Sequence, residues 1–211
     1  GGRGLHHPTP IGLGPPLHVA PRRHCVFDMA GTLTVPRHDF AWLRARLVVP
    51  SDEHILANVE ARSPADAAEA RRVINDWELD IADRARPQAD ALALLEALSA
   101  AGCRLGVLTR NTQEGAQRTL VAADLQRFFD PADVLGRDDA PPKPDPAGVN
   151  RLLAAWGATA SDAVMVGDWI YDTAAGRAAG TATVLVDRGE RAPETDTADL
   201  RVSTLDDVPR P

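Results

Sequence analysis

Lysine is almost missing from this chain. Of 23 basic residues, Lys143 is the only lysine, and the others are arginines. Positive charge is also outweighed, with 30 Asp+Glu against 23 Lys+Arg for a formal net charge of −7. A general nucleic-acid or membrane-surface binder needs a basic face, so the balance argues against both classes, and an anionic substrate would need a local fix such as a metal ion or a placed cation. Cysteine is scarce too. Cys25 and Cys103 cannot build a disulfide framework, and their apolar neighbours mark them as reduced core thiols. That usage suits an intracellular, reducing compartment. It would be the cytoplasm, or an organelle if residues 1–21 belong to a transit peptide. No uninterrupted apolar run approaches about 18 residues, so no transmembrane helix is expected.

What remains is an ordinary globular composition: 211 residues, 44% apolar and 25% charged. The length suits one domain carrying a small insertion. Residues 1–21 hold five glycines and five prolines with no acidic residue and no apolar signal segment, and read as a flexible tail. Oligomeric state leaves no mark in the sequence.

From His24 onward, short apolar runs alternate with helical patterns. Strands are expected at 24–28, 104–109, 163–168 and 183–187, with weaker ones at 133–135 and 200–202. Unbroken apolar runs of this length suit strands buried on both faces, hence a parallel sheet. Helices are expected over 88–100, 112–123, 146–156 and 172–179. The alternation predicts a doubly wound, Rossmann-like α/β sheet, whose ligands bind at the carboxyl ends of the strands. Residues 36–86 break the pattern with three helical stretches (39–47, 52–61 and 64–84) and no convincing strand. They read as a helical insertion able to act as a cap, which leaves 22–35 and 87–211 as the core. Ser63-Pro64 has the form of an N-cap followed by proline at the first helical position.

Four segments carry the chemistry. Asp28-Met29-Ala30-Gly31-Thr32 ends the first strand in a carboxylate and a glycine turn whose N–H groups can meet an anion, although strands also end in aspartate for purely structural reasons. Thr109-Arg110-Asn111 offers a hydroxyl for a phosphoryl oxygen, or an N-cap for the next helix from Asn111 or Thr112. In Pro141-Pro142-Lys143-Pro144, prolines on both sides stiffen the loop around the sole lysine, which looks placed rather than scattered. Asp168 and Asp172 sit four apart at a strand-to-helix turn, where two carboxylates repel unless a proton or a cation such as Mg²⁺ intervenes. Asp172 could instead cap the helix. Arg37, His38, Arg44 and Arg46 could reach an anionic ligand or lie on solvated faces. Trp42, Trp77 and Trp156 read as packing residues, and Trp169 as either packing or a pocket wall.

In this order and spacing the four segments resemble the haloacid-dehalogenase-like (HAD) superfamily, nearest the phosphoglycolate-phosphatase-like hydrolases, over residues 24–208. The insertion after Leu33 resembles that superfamily's small C1 cap. The resemblance implies a phosphatase acting on a small phosphorylated metabolite, with Asp28 as the nucleophile that forms an aspartyl-phosphate. It implies Mg²⁺ held by Asp28, Asp168 and the carbonyl of Ala30, with Asp172 either touching the ion or supporting its ligands from behind. Thr109, with Arg110 and Asn111, would bind the phosphoryl group, and Lys143 would neutralise the charge shared by Asp28 and phosphate.

One position departs. The superfamily's phosphatases carry an aspartate two residues after the nucleophile, which protonates the leaving alcohol and then activates water. Here Ala30 stands there. The enzyme is then impaired, or its leaving group needs no such proton, or the alanine was introduced deliberately. The phosphonatases share Asp-x-Ala-Gly-Thr but use a cap lysine, and residues 36–86 contain none. A true haloacid dehalogenase works without metal, against which the Asp168/Asp172 pair argues. A non-catalytic protein that binds a phosphometabolite or a partner on the same fold is the alternative reading.

Overall fold

The computed structural model describes residues 22–189 and 198–211, so the stretch 1–21 lies outside the described residues. Six parallel strands form one sheet in the order β3-β2-β1-β4-β5-β6. They are β1 (His24–Phe27), β2 (Arg104–Leu108), β3 (Val134–Leu135), β4 (Ala163–Gly167), β5 (Ala182–Val186) and β6 (Leu200–Val202). The expected parallel α/β sheet is therefore present, and β1 lies between β2 and β4.

Side-chain alternation explains why both faces are apolar. Cys25 and Phe27 point into one core cluster and Val26 into the other, while Val164 and Val166 oppose Met165 in the same way. The first face is covered by α4 (Ala91–Ala100) and α5 (Gln113–Ala122), and the second by α6 (Ala147–Trp156) and α7 (Ile170–Ala179). Phe27 is fully buried, and truncating such a ring to alanine costs about 3–5 kcal/mol. Cys25 is buried and Cys103 half-buried, both as free thiols. Among the described residues, no helix is long and apolar enough to cross a membrane.

The helical stretch appears as α1 (Phe40–Leu47), α2 (Ile55–Glu60) and α3 (Pro64–Asp83). Ser63 caps α3 by accepting from the Asp66 amide, with Pro64 at the first helical position, as its sequence suggests. The three helices enclose their own small core of Leu43, Leu47, Val59, Ala70 and Ile74. The chain leaves and rejoins the sheet domain side by side. The Val35 amide donates to the Arg86 carbonyl (3.0 Å), the Gln88 amide donates to the Leu33 carbonyl (2.8 Å), and Thr34 bridges Pro87. Outside this neck, α3 meets α5 through Asp83–Arg118, and Glu78 pairs with Arg137 at 3.3 Å.

Trp42 corrects an expectation. Helix α1 turns only Leu43 and Leu47 inward, so Trp42 stays 50% exposed beside a groove between α1 and α3. Trp77 does pack against the core of the helical insertion, and Trp156 packs against the second sheet cluster, where its indole N–H donates to Asp133 Oδ1 at 2.8 Å.

Candidate active site

Register alone brings the chemistry-bearing segments together. Phe27 is level with Val107 on β2 and Val166 on β4, so the next residues along each strand meet at the carboxyl edge of the sheet. These are Asp28, Leu108–Thr109 and Gly167–Asp168. This is the crevice where a doubly wound sheet binds ligands. The Asp28 amide donates to the Val166 carbonyl at 2.9 Å, which locks the Asp28 turn to the end of β4.

Lys143 arrives from the proline-flanked loop and is buried, 4% exposed. Its ammonium donates to Asp28 Oδ1, to the Leu108 carbonyl and to Asp172 Oδ1, each at 2.8 Å. Three acceptors match its three N–H bonds. Asp172 is buried, and its Oδ2 accepts from the amides of Asp168 (3.1 Å) and Trp169 (3.0 Å). Asp172 thus holds both the lysine and the turn that aims Asp168. It also lies at the third position of α7 beneath the Trp169 N-cap, so the capping role open in the sequence is present as well. Gly167 makes room for this: a Cβ there would stand 2.2 Å from the Asp172 Cβ.

Asp28, Asp168 and Asp172 each bring a carboxylate oxygen within 4.8 Å of the others. Burial works against ionised Asp28, but the Lys143 charge and hydrogen bonds from its surroundings outweigh that and hold it below the usual carboxylate range. Burial opposes the Lys143 ammonium too, and Asp28 and Asp172 overcome it, so the group stays charged. Burial and a hydrogen bond shared with Asp28 push the Asp168 carboxyl up to about 8. Burial and the Asp28 charge push Asp172 up to about 6, with Lys143 pulling the other way. One lysine among three carboxylates leaves the cluster short of positive charge, and a proton on Asp168 makes up part of the deficit. A hard divalent cation would make up the same deficit with oxygen ligands of the kind Mg²⁺ prefers. The donor set therefore fits such an ion, with Asp28 and Asp168 the two partly exposed members.

The turn after Asp28 is shaped around Asp168. Gly31 has φ +88°, and a Cβ there would lie 2.3 Å from Asp168 Oδ2. The buried Thr32 hydroxyl donates to Asp168 Oδ1 at 3.0 Å. Neither contact is foreseeable from the motif as read, because Thr32 and Asp168 are 136 positions apart. Ala30, in the same turn, is half-buried and carries a methyl group with no acid–base capacity.

Thr109 is buried at the end of β2, and its Oγ1 accepts from the Asn111 amide at 3.2 Å, which leaves the hydroxyl proton to donate elsewhere. Thr112, not Asn111, caps α5 by accepting from the Gly115 amide, while Asn111 Oδ1 accepts from the Thr112 amide. The Arg110 guanidinium lies over the Trp169 ring at 5.7 Å, and Trp169 also packs on Tyr171. Of the insertion's candidates, Arg44 donates to the carbonyls of Pro50 and Glu53, and His38 stacks on Phe40 and meets Trp77 edge to face. Arg37 and Arg46 line the groove between α1 and α3.

Comparison with known proteins shows the family and the fold. Residues 52–180 match the family model described as haloacid dehalogenase-like hydrolase. A haloacid dehalogenase-like hydrolase domain-containing protein of Arabidopsis thaliana is 34% identical over 186 residues, 80% of this chain and 72% of that protein. A phosphoglycolate phosphatase of Caulobacter vibrioides is 37% identical over 157 residues, 71% of this chain and 65% of that enzyme. Among solved structures, a predicted phosphoglycolate phosphatase from Haemophilus somnus 129PT superposes with a TM-score of 0.75 at 21% identity, covering 89% of this chain and 96% of that one.

Proposed function

This chain belongs to the haloacid dehalogenase-like hydrolases, phosphoglycolate-phosphatase-like among them, and from that membership we propose that it is a Mg²⁺-dependent phosphatase of small phosphorylated metabolites, slowed by Ala30. The observation that carries the reading is the shared ammonium: Lys143 keeps Asp28 ionised and in place beside Asp168 at the sheet's carboxyl edge.

Asp28 is the nucleophile. Its carboxylate oxygen attacks phosphorus while the bond to the leaving oxygen breaks, forming an aspartyl-phosphate; water then attacks that phosphorus and releases phosphate. Thr109, helped by Arg110 and Asn111, binds the phosphoryl oxygens, and Lys143 offsets their charge against Asp28. Asp28, Asp168 and the Ala30 carbonyl would hold Mg²⁺, with Asp172 at the rear of the set. When bound, the ion supplies positive charge that lets two anions approach each other. Residues 36–86 form a cap over this crevice in the same reading, as a site for substrate selection.

Ala30 sets the limit on rate. A departing alkoxide needs a proton, and the methyl side chain has none to give. Positioned acid–base catalysis is worth about 10²–10⁴-fold. Aryl and acyl phosphates, whose leaving groups need little protonation, suffer less. The same alanine favours the second reading, a protein that binds phosphometabolites without turning them over.

Hydrolysis of p-nitrophenyl phosphate and of an alkyl phosphate, with and without Mg²⁺, decides between them when run on the protein and its Ala30→Asp variant. The expected result is Mg²⁺-dependent release that favours the aryl ester, and a gain of about 10²-fold or more on the alkyl ester in Ala30→Asp. Equal alkyl rates for the two forms would remove the role given to Ala30. Binding without release in both would establish the second reading.

A further inference from the structure

Sequence and structure both place charged residues at the carboxyl ends of the central strands, and one of them has no part in the chemistry above. Arg188 follows β5 and its side chain is 17% exposed. All three of its guanidinium nitrogens donate hydrogen bonds. Nε donates to the Gly31 carbonyl and Nη2 to the Thr32 carbonyl, both at 3.2 Å. Nη1 and Nη2 also form a two-pronged ion pair with Asp90, at 2.8 and 3.0 Å. Asp90 in turn accepts from the Thr204 hydroxyl (2.8 Å) and the Leu205 amide (2.9 Å).

Resting on the reading of Asp28 and Asp168 as the metal-holding pair, we propose that Arg188 is a positioning residue: it pins the turn after Asp28 from behind so that Thr32 keeps Asp168 aimed at the cation. The turn has one face toward Arg188 and the other toward Asp168. The two carbonyls that Arg188 grips belong to the residues that touch Asp168, Gly31 by close approach and Thr32 by its hydroxyl. The Arg188 charge is matched by Asp90, so what it adds to the crevice is geometry rather than potential. The Arg188 contacts are spread over three nitrogens of a planar fork, and a single lysine nitrogen at this position cannot reproduce that spread. Partners one step behind metal ligands typically govern about 10–100-fold in metal affinity.

The test uses the whole chain with Mn²⁺ as a probe, a cation suited to the same oxygen donors. Free Mn²⁺ is measured by electron paramagnetic resonance, and amide hydrogen exchange is followed in the absence of metal. Arg188→Gln is expected to weaken Mn²⁺ binding about tenfold and to speed exchange over residues 29–34 while β2 and β4 amides keep their rates. Arg188→Lys should recover part of the thermal stability but little of the Mn²⁺ affinity. Mn²⁺ affinity within about twofold of wild type together with unchanged exchange at 29–34 would overturn the proposal. Exchange that rises evenly across the sheet would also overturn it, reducing Arg188 to a general stabiliser. Should Arg188→Gln fail to fold, Asp90→Asn, which removes the charge that anchors the guanidinium, carries the same two measurements. A wild-type protein that does not bind Mn²⁺ would sink the metal-site reading instead, and the exchange rates would still decide whether Arg188 holds the turn.

Discussion

Lys143 and Asp28 meet 115 residues apart in sequence, with Nζ 2.8 Å from Oδ1 in a buried pocket. The same ammonium reaches Asp172 Oδ1 at 2.8 Å, so a single positive charge serves two carboxylates. Removing it leaves both uncompensated. Lys143→Met is expected to cut Mg²⁺-dependent release from p-nitrophenyl phosphate by about 10²–10³-fold. It should also lower stability by about 3 kcal/mol or more, because a buried pair loses only one partner. Steady-state kinetics and urea unfolding check the two parts separately.

Asp90 predicts how the fold responds to acid. Burial opposes its ionised form, but Arg188, the Leu205 amide and the Thr204 hydroxyl outweigh burial and hold its carboxyl below the ordinary value of 3.8. A group depressed on folding contributes stability that is complete above its unfolded value and disappears as pH falls through the folded one. Unfolding free energy should therefore decline more steeply below roughly pH 4 in the wild type than in Asp90→Asn, with a less stable variant at neutral pH. Parallel slopes in denaturant titrations across that range would contradict the assignment.

Val48 carries a local cost. It ends α1 in the left-handed conformation, φ 57° and ψ 52°, while 81% exposed. A β-branched residue pays about 1–2 kcal/mol there, and its exposed side chain returns little. Val48→Gly is expected to raise stability by about 1 kcal/mol, read as a higher melting temperature with no change in phosphatase rate.

The sheet was legible because its signal is local. Val26, Val107, Val166 and Val184 lie in short apolar runs of the length that suits strands buried on two sides, and each lies in one. Lys143 was legible for a different reason, since a lone lysine between prolines is a compositional anomaly. The sequence reading stopped short where partners are distant and chemically ordinary. Asp187-Arg188-Gly189 closes β5 just as Asp28 and Asp168 close their strands, yet nothing local shows that Arg188 reaches Gly31 and Thr32 across more than 150 positions. Trp42 misled for the opposite reason: an indole usually packs, but α1 is short and offers the insertion's core only Leu43 and Leu47.

The neck formed by Val35 with Arg86 and Thr34 with Pro87 has an evolutionary corollary. Since both crossings are joined at the sheet's border, α1 and α2 can change in length without pulling on the strand ends, whereas α3, tied to α5 through Asp83 and Arg118, has to keep its place. In the function proposed above, substrate choice would follow α1 and α2 while bond-breaking stays with the strand ends, so the two could diverge at separate tempos within one polypeptide.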